Sequence, residues 1–333
     1  MKPFEHGGRV YDPDGRQRDV LDFSANINPL GMPSTVRTAL IKNIDGVEHY
    51  PDPDARMLKA AIAEHYSLDV ENIAVFNGAA EFFYIYFRLM APTKIYIPAP
   101  TFSEYERAAM AAGLEINFET PVENVIICNP NNPTGQLHSV DEILRLTAKA
   151  RVIVDESFID FVGDDRSVKK FVADNKNLIV VQSLTKIFAI PGLRLGFAVA
   201  DQNIIERLDR SKDVWNVNYL AQIAGVAALN DRDYIEQTRR WIEIERPYVF
   251  NRLREIAGIE KVFEPTANFV LMKFSTEGAA REVIARLAAE NILVRNCDNF
   301  RGLDGRYIRM AIRLRAENDR VLDIIGSTNG RGN

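Results

Sequence analysis

Cysteine, histidine and tryptophan are scarce in this chain: two, four and two among 333 residues. Cys128 falls in an expected core strand and Cys297 lies far from it, so no disulfide framework and no paired metal spacing can be drawn. Both read as packing or incidental thiols, which suits a reducing cytoplasm. His49, His65 and His138 carry no metal-ligand spacing, and no metal is expected. Basic runs are missing as well, and a net charge of -5 gives no reason to expect nucleic acid. Long apolar runs are absent too. The longest, Phe82 to Met90, is broken by Arg88 and has about half the length needed to cross a bilayer, so no membrane partner is expected. The opening segment, Met1 to Val10, is too polar for a signal peptide. No internal repeat, low-complexity segment or flexible linker is visible.

What is present is a chain with 47% hydrophobic residues, long enough for a large core and two domains. From about Val47 to about Leu229, strand-like runs alternate with helical patterns, the signature of a parallel sheet with crossover helices. Expected buried strands are Ile73 to Phe76, Val125 to Cys128, Arg151 to Asp155 and Leu178 to Gln182. Expected helices include Asp54 to Tyr66, with Leu58, Ala61, Ile62 and His65 on one face, and Ser139 to Lys149, where Ser139 and Glu142 form a capping box. A long polar helix near Asp231 to Ile256 leads to strands at Asn268 to Phe274, Ile292 to Arg295 and Tyr307 to Ile312, separated and closed by helices. These fit a smaller α+β domain.

Ser183-Leu184-Thr185-Lys186, with Arg194 in the run Ile190 to Gly196, follows the last buried strand of the α/β part. Taken alone, such a spacing suits a helix cap followed by a solvated lysine. Its companions favour chemistry. Asn129-Pro-Asn-Asn-Pro-Thr-Gly135 ends one strand and offers an amide at the sheet edge, while Asp155 ends the next with a carboxylate. In an open parallel sheet, ligands sit at that edge. A lysine there, with a hydroxyl three residues before it and an arginine eight after, suits an aldehyde cofactor that carries a phosphate. Lys186 would form the Schiff base, and Ser183 with Arg194 would hold the phosphate.

Order and spacing resemble the fold-type I enzymes dependent on pyridoxal 5'-phosphate (PLP), the aspartate aminotransferase superfamily. That resemblance implies a large PLP-binding domain over residues 47–240 and a small α+β domain over 241–333 that also collects the N-terminal arm, 1–46. It implies that Asp155 pairs with the pyridine nitrogen and that Asn132 donates to the ring hydroxyl oxygen. Phe102 would stack on the ring. Gly78, Ala79 and Ala80, opening a helix, would receive the cofactor phosphate at its N-terminus. Tyr50, in His49-Tyr-Pro-Asp-Pro53, resembles a tyrosine that reaches the neighbouring subunit's cofactor, so a homodimer is implied.

Within the superfamily, His6-Gly7-Gly8 and Leu21 to Pro33 resemble the L-threonine O-3-phosphate decarboxylases of cobalamin biosynthesis. So do Asp155 to Phe161, Ser183 to Gly196 and Gly302 to Arg309. The resemblance implies a phosphorylated amino acid substrate. Its carboxylate would meet Arg309 beside Asn132, and its phosphate would meet candidates among Arg295, His6, Ser24 and Asn26. Phe158 supports this reading, because many aminotransferases, including the histidinol-phosphate enzymes, place there a tyrosine that donates to the ring oxygen. Two departures stand out: Arg9 where asparagine commonly follows the paired glycines, and a short segment between Glu115 and Val125. A histidinol-phosphate type aminotransferase is the alternative enzyme, and a non-catalytic PLP-fold regulator the alternative of another class.

Overall fold

The computed structural model describes residues 5–90 and 94–327. Numbered along the chain, β1 (Leu21–Asp22) precedes the strands β2 (Ile73–Phe76), β3 (Lys94–Tyr96), β4 (Glu115–Asn117), β5 (Asn124–Cys128), β6 (Arg151–Asp155), β7 (Leu178–Ser183) and β8 (Gly196–Val199). These seven, β2 to β8, form one sheet in the order β2-β8-β7-β6-β5-β3-β4, parallel except that β8 runs against both of its neighbours. The expected α/β class with a mostly parallel sheet is present. Which strand would run antiparallel was not read from the sequence: it is β8. It follows β7 through the loop that carries Lys186 and Arg194, which holds no α-helix to make a parallel crossover.

Interior strands read as unbroken apolar runs because both sheet faces are covered. Val152 and Val154 of β6 enter one core with Leu178 and Val180 of β7, while Ile153, Ile179 and Val181 enter the opposite core. Helices α1 (Ser34–Lys42), α2 (Arg56–Tyr66), α3 (Ala79–Met90), α4 (Glu104–Ala111), α5 (Val140–Thr147), α6 (Gln202–Asp209) and α7 (Tyr219–Leu229) accompany this part of the chain. Leu58, Ala61 and Ile62 are buried and His65 half-buried, and Ser139 and Glu142 make the expected capping box at α5.

Next comes α8 (Arg232–Arg254), then β9 (Ile259–Val262), β10 (Phe269–Phe274), α9 (Glu277–Ala289), β11 (Ile292–Leu293), β12 (Arg295–Asn296), β13 (Tyr307–Ala311) and α10 (Arg315–Gly326). The second sheet is antiparallel, in the order β12-β13-β10-β9. The single strand expected over Ile292 to Arg295 is split. β11 pairs in parallel with β1, so the N-terminal segment is tied to this region, while β12 turns to join β13. Helix α8 belongs to both parts: Tyr234 and Ile235 pack in the core of the large sheet, and Ile242, Val249 and Leu253 in that of the smaller one. Among the described residues, no helix is long and apolar enough to cross a membrane.

One close approach fixes the start of α3. Gly196 in β8 lies so near that an added Cβ would stand 2.5 Å from the backbone nitrogen of Ala79 and 2.9 Å from the carbonyl oxygen of Gln182. Only glycine fits without moving backbone. Gly196→Ala is expected to cost about 1–3 kcal/mol of stability, as overpacking does, and to displace the α3 N-terminus. Thermal unfolding together with cofactor retention measures both effects.

Candidate active site

Parallel register brings the candidate groups to one sheet edge. Cys128 lies opposite Asp155 and Asp155 opposite Val181, so β5, β6 and β7 finish together, just before Lys186. A cavity of about 300 Å³ opens there. Its lining includes His6, Ser24, Asn26, Ala79, Ala80, Phe102, Asn132, Asp155, Phe158, Lys186, Arg194, Arg295 and Arg309, so most of the candidates are brought together.

Asp155 is buried and held from two sides. Its Oδ2 accepts from Tyr105 Oη at 2.6 Å, and its Oδ1 from the Ser157 backbone N–H at 2.9 Å. Tyr105 is fully buried, and burial first, then the Asp155 charge, pushes its hydroxyl well above the usual range, so it stays a donor. Its ring meets Phe102 edge-on at 5.5 Å. Lys186 Nζ donates to Ser183 Oγ at 3.0 Å. Burial pulls the lysine down to about 8, with Asp155 opposing the shift and Arg194 adding to it. Its loop is pinned from the N-terminal segment. The Asn28 backbone donates to the Lys186 carbonyl at 3.1 Å, and the Asn28 side chain to that of Ile187 at 2.8 Å.

Gly78 has a φ of +82°, and an added Cβ would overlap the Arg194 guanidinium. Glycine therefore meets two demands at once, a left-handed backbone and room for the arginine. Arg194 also has a positive φ, +58°, which turns the chain from the lysine loop into β8. Lysine amine, Ser183 hydroxyl, Arg194 and the α3 N-terminus thus form a cradle for an aldehyde bearing a phosphate, with Asp155 and Asn132 on its ring side. These residues fit PLP. Phe158 is buried and meets Phe269 edge-on at 5.0 Å, and it brings no hydroxyl to the cavity.

The remaining wall is cationic. Arg295 and Arg309 are cross-strand partners on β12 and β13, only 8% and 5% exposed. Among the described residues their hydrogen bonds go to neutral oxygens: Arg309 to Asn132 Oδ1 and to the Ser24 carbonyl at 2.6 Å, Arg295 to the Glu5 and Asn296 carbonyls and to Asn299 Oδ1 at 2.5 Å. Burial pulls Arg309 down to about 10, and Arg295 is lowered for the same reason. Arg309 Nε and Asn26 Oδ1 are buried without a hydrogen-bond partner. Two desolvated cations side by side, neither in an ion pair with a carboxylate among the described residues, make a receptor for anions.

Other candidates are placed differently. The Ser24 hydroxyl is spent within its own segment, donating to Asp22 Oδ1 at 2.6 Å and accepting from the Gly8 N–H at 2.8 Å, so it is the Ser24 carbonyl that serves Arg309. Tyr50 does not join the cavity. It is 75% exposed and stacked on Trp215 at 4.0 Å, in a separate hollow. Arg9 pairs with Glu5 at the surface. In the short segment after β4, Phe118 lies under Arg301 at 3.9 Å. Tyr105 and Glu104 were missed as site residues, although both stand in the run Pro100 to Tyr105 that supplies Phe102. Their partners, Asp155 and His6, are 50 and 98 residues away, and no local signal announces them.

The chain belongs to the class I and II aminotransferase family, which matches residues 18–325. The threonine-phosphate decarboxylase of Salmonella typhimurium is 35% identical to it over 95% of this chain and 94% of its own. The solved L-threonine-O-3-phosphate decarboxylase of Porphyromonas gingivalis superposes with a TM-score of 0.86 at 28% identity, covering 92% of this chain and 99% of the other. The histidinol-phosphate aminotransferase of Clostridium acetobutylicum gives the same score, 0.86, at 31% identity, covering 92% of this chain and 98% of the other. The fold therefore does not separate the two reactions.

A lysine must shed its proton before it attacks an aldehyde. With the Lys186 amine at about 8 instead of 10.5, PLP uptake by protein freed of cofactor is expected to accelerate as pH rises, with a midpoint near 8. Stopped-flow absorbance between pH 6 and pH 11 reads this, in ranges set by the usual lysine value of about 10.4. A midpoint at that usual value would contradict the burial of the amine.

Proposed function

We propose that this protein is a PLP-dependent lyase of cobalamin biosynthesis, removing the carboxyl group of L-threonine O-3-phosphate to give CO2 and 1-amino-2-propanol O-phosphate. The observation that carries the reading is the pair of buried arginines without a carboxylate partner among the described residues. A substrate with a carboxylate and a phosphate answers that charge, whereas an unphosphorylated amino acid leaves half of it unmet. Phe158, where a hydroxyl donor would be expected in many aminotransferases, and the identity with the Salmonella enzyme support the choice of reaction.

PLP, when bound, accepts the electron pair left on the α-carbon as a bond to that carbon breaks. The chain's own groups do the rest. Asp155, fixed by Tyr105 and Ser157, would hold the pyridine nitrogen. Arg309 binds the carboxylate, and its bond to Asn132 couples that hold to the cofactor side of the cavity. Arg295 and His6 take the phosphate. Which α-carbon bond breaks depends on how these anchors rotate the substrate, since the reacting bond must stand perpendicular to the ring. Lys186 Nζ, held by Ser183 and lowered to about 8, is the candidate to return a proton to the α-carbon once CO2 has left. One proton is taken up for each CO2 released, and no 2-oxo acid is needed.

A second copy of the chain belongs to this reading. Ile41, Val47, Tyr50, Met57 and Trp215 are large apolar residues left more than 40% exposed, and burying Tyr50 against a partner would bring its hydroxyl to the neighbouring cofactor phosphate. The two free, buried thiols suit a cytoplasmic enzyme.

Incubation with threonine phosphate is expected to release CO2 without an added 2-oxo acid. Sustained glutamate formation from histidinol phosphate and 2-oxoglutarate, with no CO2 from threonine phosphate, would favour the aminotransferase instead. Lys186→Ala is expected to abolish turnover while leaving the fold intact, and borohydride should attach the cofactor to Lys186 in the unaltered protein, as peptide mass mapping would report. Arg295→Ala is expected to cut the preference for threonine phosphate over threonine by about 2–5 kcal/mol, the loss seen when a buried charge partner is truncated. The cofactor spectrum should change little. Parallel kcat/KM measurements on the two substrates check this.

A further inference from the structure

Glu104 is only 8% exposed, yet it stands beside a cavity read here as a receptor for anions. It lies at the first residue of α4, directly after the loop that carries Phe102. Its Oε1 accepts from His6 Nε2 at 2.7 Å, its Oε2 accepts from Tyr84 Oη at 2.9 Å, and Arg107 approaches at 3.4 Å. Burial pushes its carboxyl up, but the bonds from His6 and Tyr84 outweigh burial and hold it below the usual carboxylate range. A buried carboxylate repels an incoming phosphate, so its presence needs a compensating use.

The arm around His6 shows what that use is. The Glu5 carbonyl is taken by Arg295 and by Asn299 Nδ2, the latter at 3.1 Å. Gly7 lies flush against Ser24, where a Cβ would collide with the Ser24 carbonyl, and the Gly8 N–H is bound by the Ser24 hydroxyl. These contacts fix the arm's backbone but leave the His6 ring free to turn about its side-chain torsions. Glu104, from the other side of the cavity, stops that rotation. Because a carboxylate only accepts, Nε2 must carry the proton of the shared bond; Nδ1 is left for a ligand and donates to a phosphate oxygen when the ring is the imidazolium, the form that the Glu104 carboxylate favours. The ring also rests against Phe102, at 5.4 Å between centroids.

We propose that Glu104 is a positioning residue for recognition of the substrate's phosphate: it holds the His6 ring so that Nδ1 meets the ester phosphate beside Arg295. This rests on the reading of His6 and Arg295 as the phosphate site. Two opposite effects can be told apart by sign. If Glu104 acts through His6, its loss weakens phosphate binding; if its charge acts directly on the phosphate, its loss strengthens binding.

Steady-state kinetics of the cofactor-loaded enzyme with threonine phosphate and with threonine decide between them. Glu104→Ala is expected to raise KM for threonine phosphate about tenfold, the worth of one charged hydrogen bond, with a smaller fall in kcat and no matching change for threonine. Glu104→Gln keeps an acceptor oxygen for His6 Nε2 and is expected to restore most of the KM. In a His6→Ala background, Glu104→Ala is expected to add no further KM effect. A lower KM in either Glu104 variant, or full additivity with His6→Ala, would overturn the proposal. So would equal losses on both substrates with a lowered melting temperature, the mark of a merely structural role. If the unaltered enzyme releases no CO2 from threonine phosphate, the proposed reaction fails. The same KM comparison then runs on histidinol phosphate against histidinol, where the phosphate faces the same choice.

Discussion

Water is closed off from both faces of the large sheet, and the consequences of that exclusion reach every part of the site. β6 and β7 send alternate aliphatic side chains into two separate cores, so polar groups find tolerable places only where strands end. Asp155 sits at such an end, and because it is nearly buried its oxygens must be satisfied locally, which Tyr105 and Ser157 do. Lys186, one loop further on, feels the same lack of water as a lowered basicity. The cradle of Gly78, Arg194 and the α3 N-terminus is then forced into one arrangement by Gly196, where β8 and α3 come closer than any side chain allows.

The elements that could be read directly from the residues are those whose environment is uniform. β5, β6 and β7 are buried on both faces, so their apolar runs stand out, and the polar last residues of β6 and β7, Asp155 and Ser183, mark the sheet edge. The capping box at Ser139 is equally local. What could not be read depends on tertiary pairing. The direction of β8 depends on a loop that returns beside β7 without a crossover helix. The break between Leu293 and Arg295 arises because one piece pairs with β1 and the next with β13. The Ser24 hydroxyl was a candidate for substrate, but its own segment claims it. Tyr105 and Glu104 look ordinary in sequence, since an aromatic and an acid at a helix start usually serve packing and capping.

Decarboxylation and transamination share this scaffold, as the equal TM-scores to one enzyme of each kind make plain. The difference must lie in side chains that hold the substrate at a particular angle. In the proposed reading those side chains would come from the arm, from Asn132 and from the paired strands β12 and β13, which line one cavity. Arg309 bonds to residues of two distant regions of the polypeptide, Ser24 and Asn132, so a substrate held by Arg309 would be held by the same bonds that place the arm.

Helix α8 deserves to be considered as a beam. Its first turns are built into the core beneath the large sheet and its later turns into the core of the smaller one, with Thr238 between them accepting from Asn28 Nδ2 at 2.7 Å. A strut embedded at both ends transmits load. Loosening either core withdraws packing from the other through this one helix, so a change in one half is felt in the other.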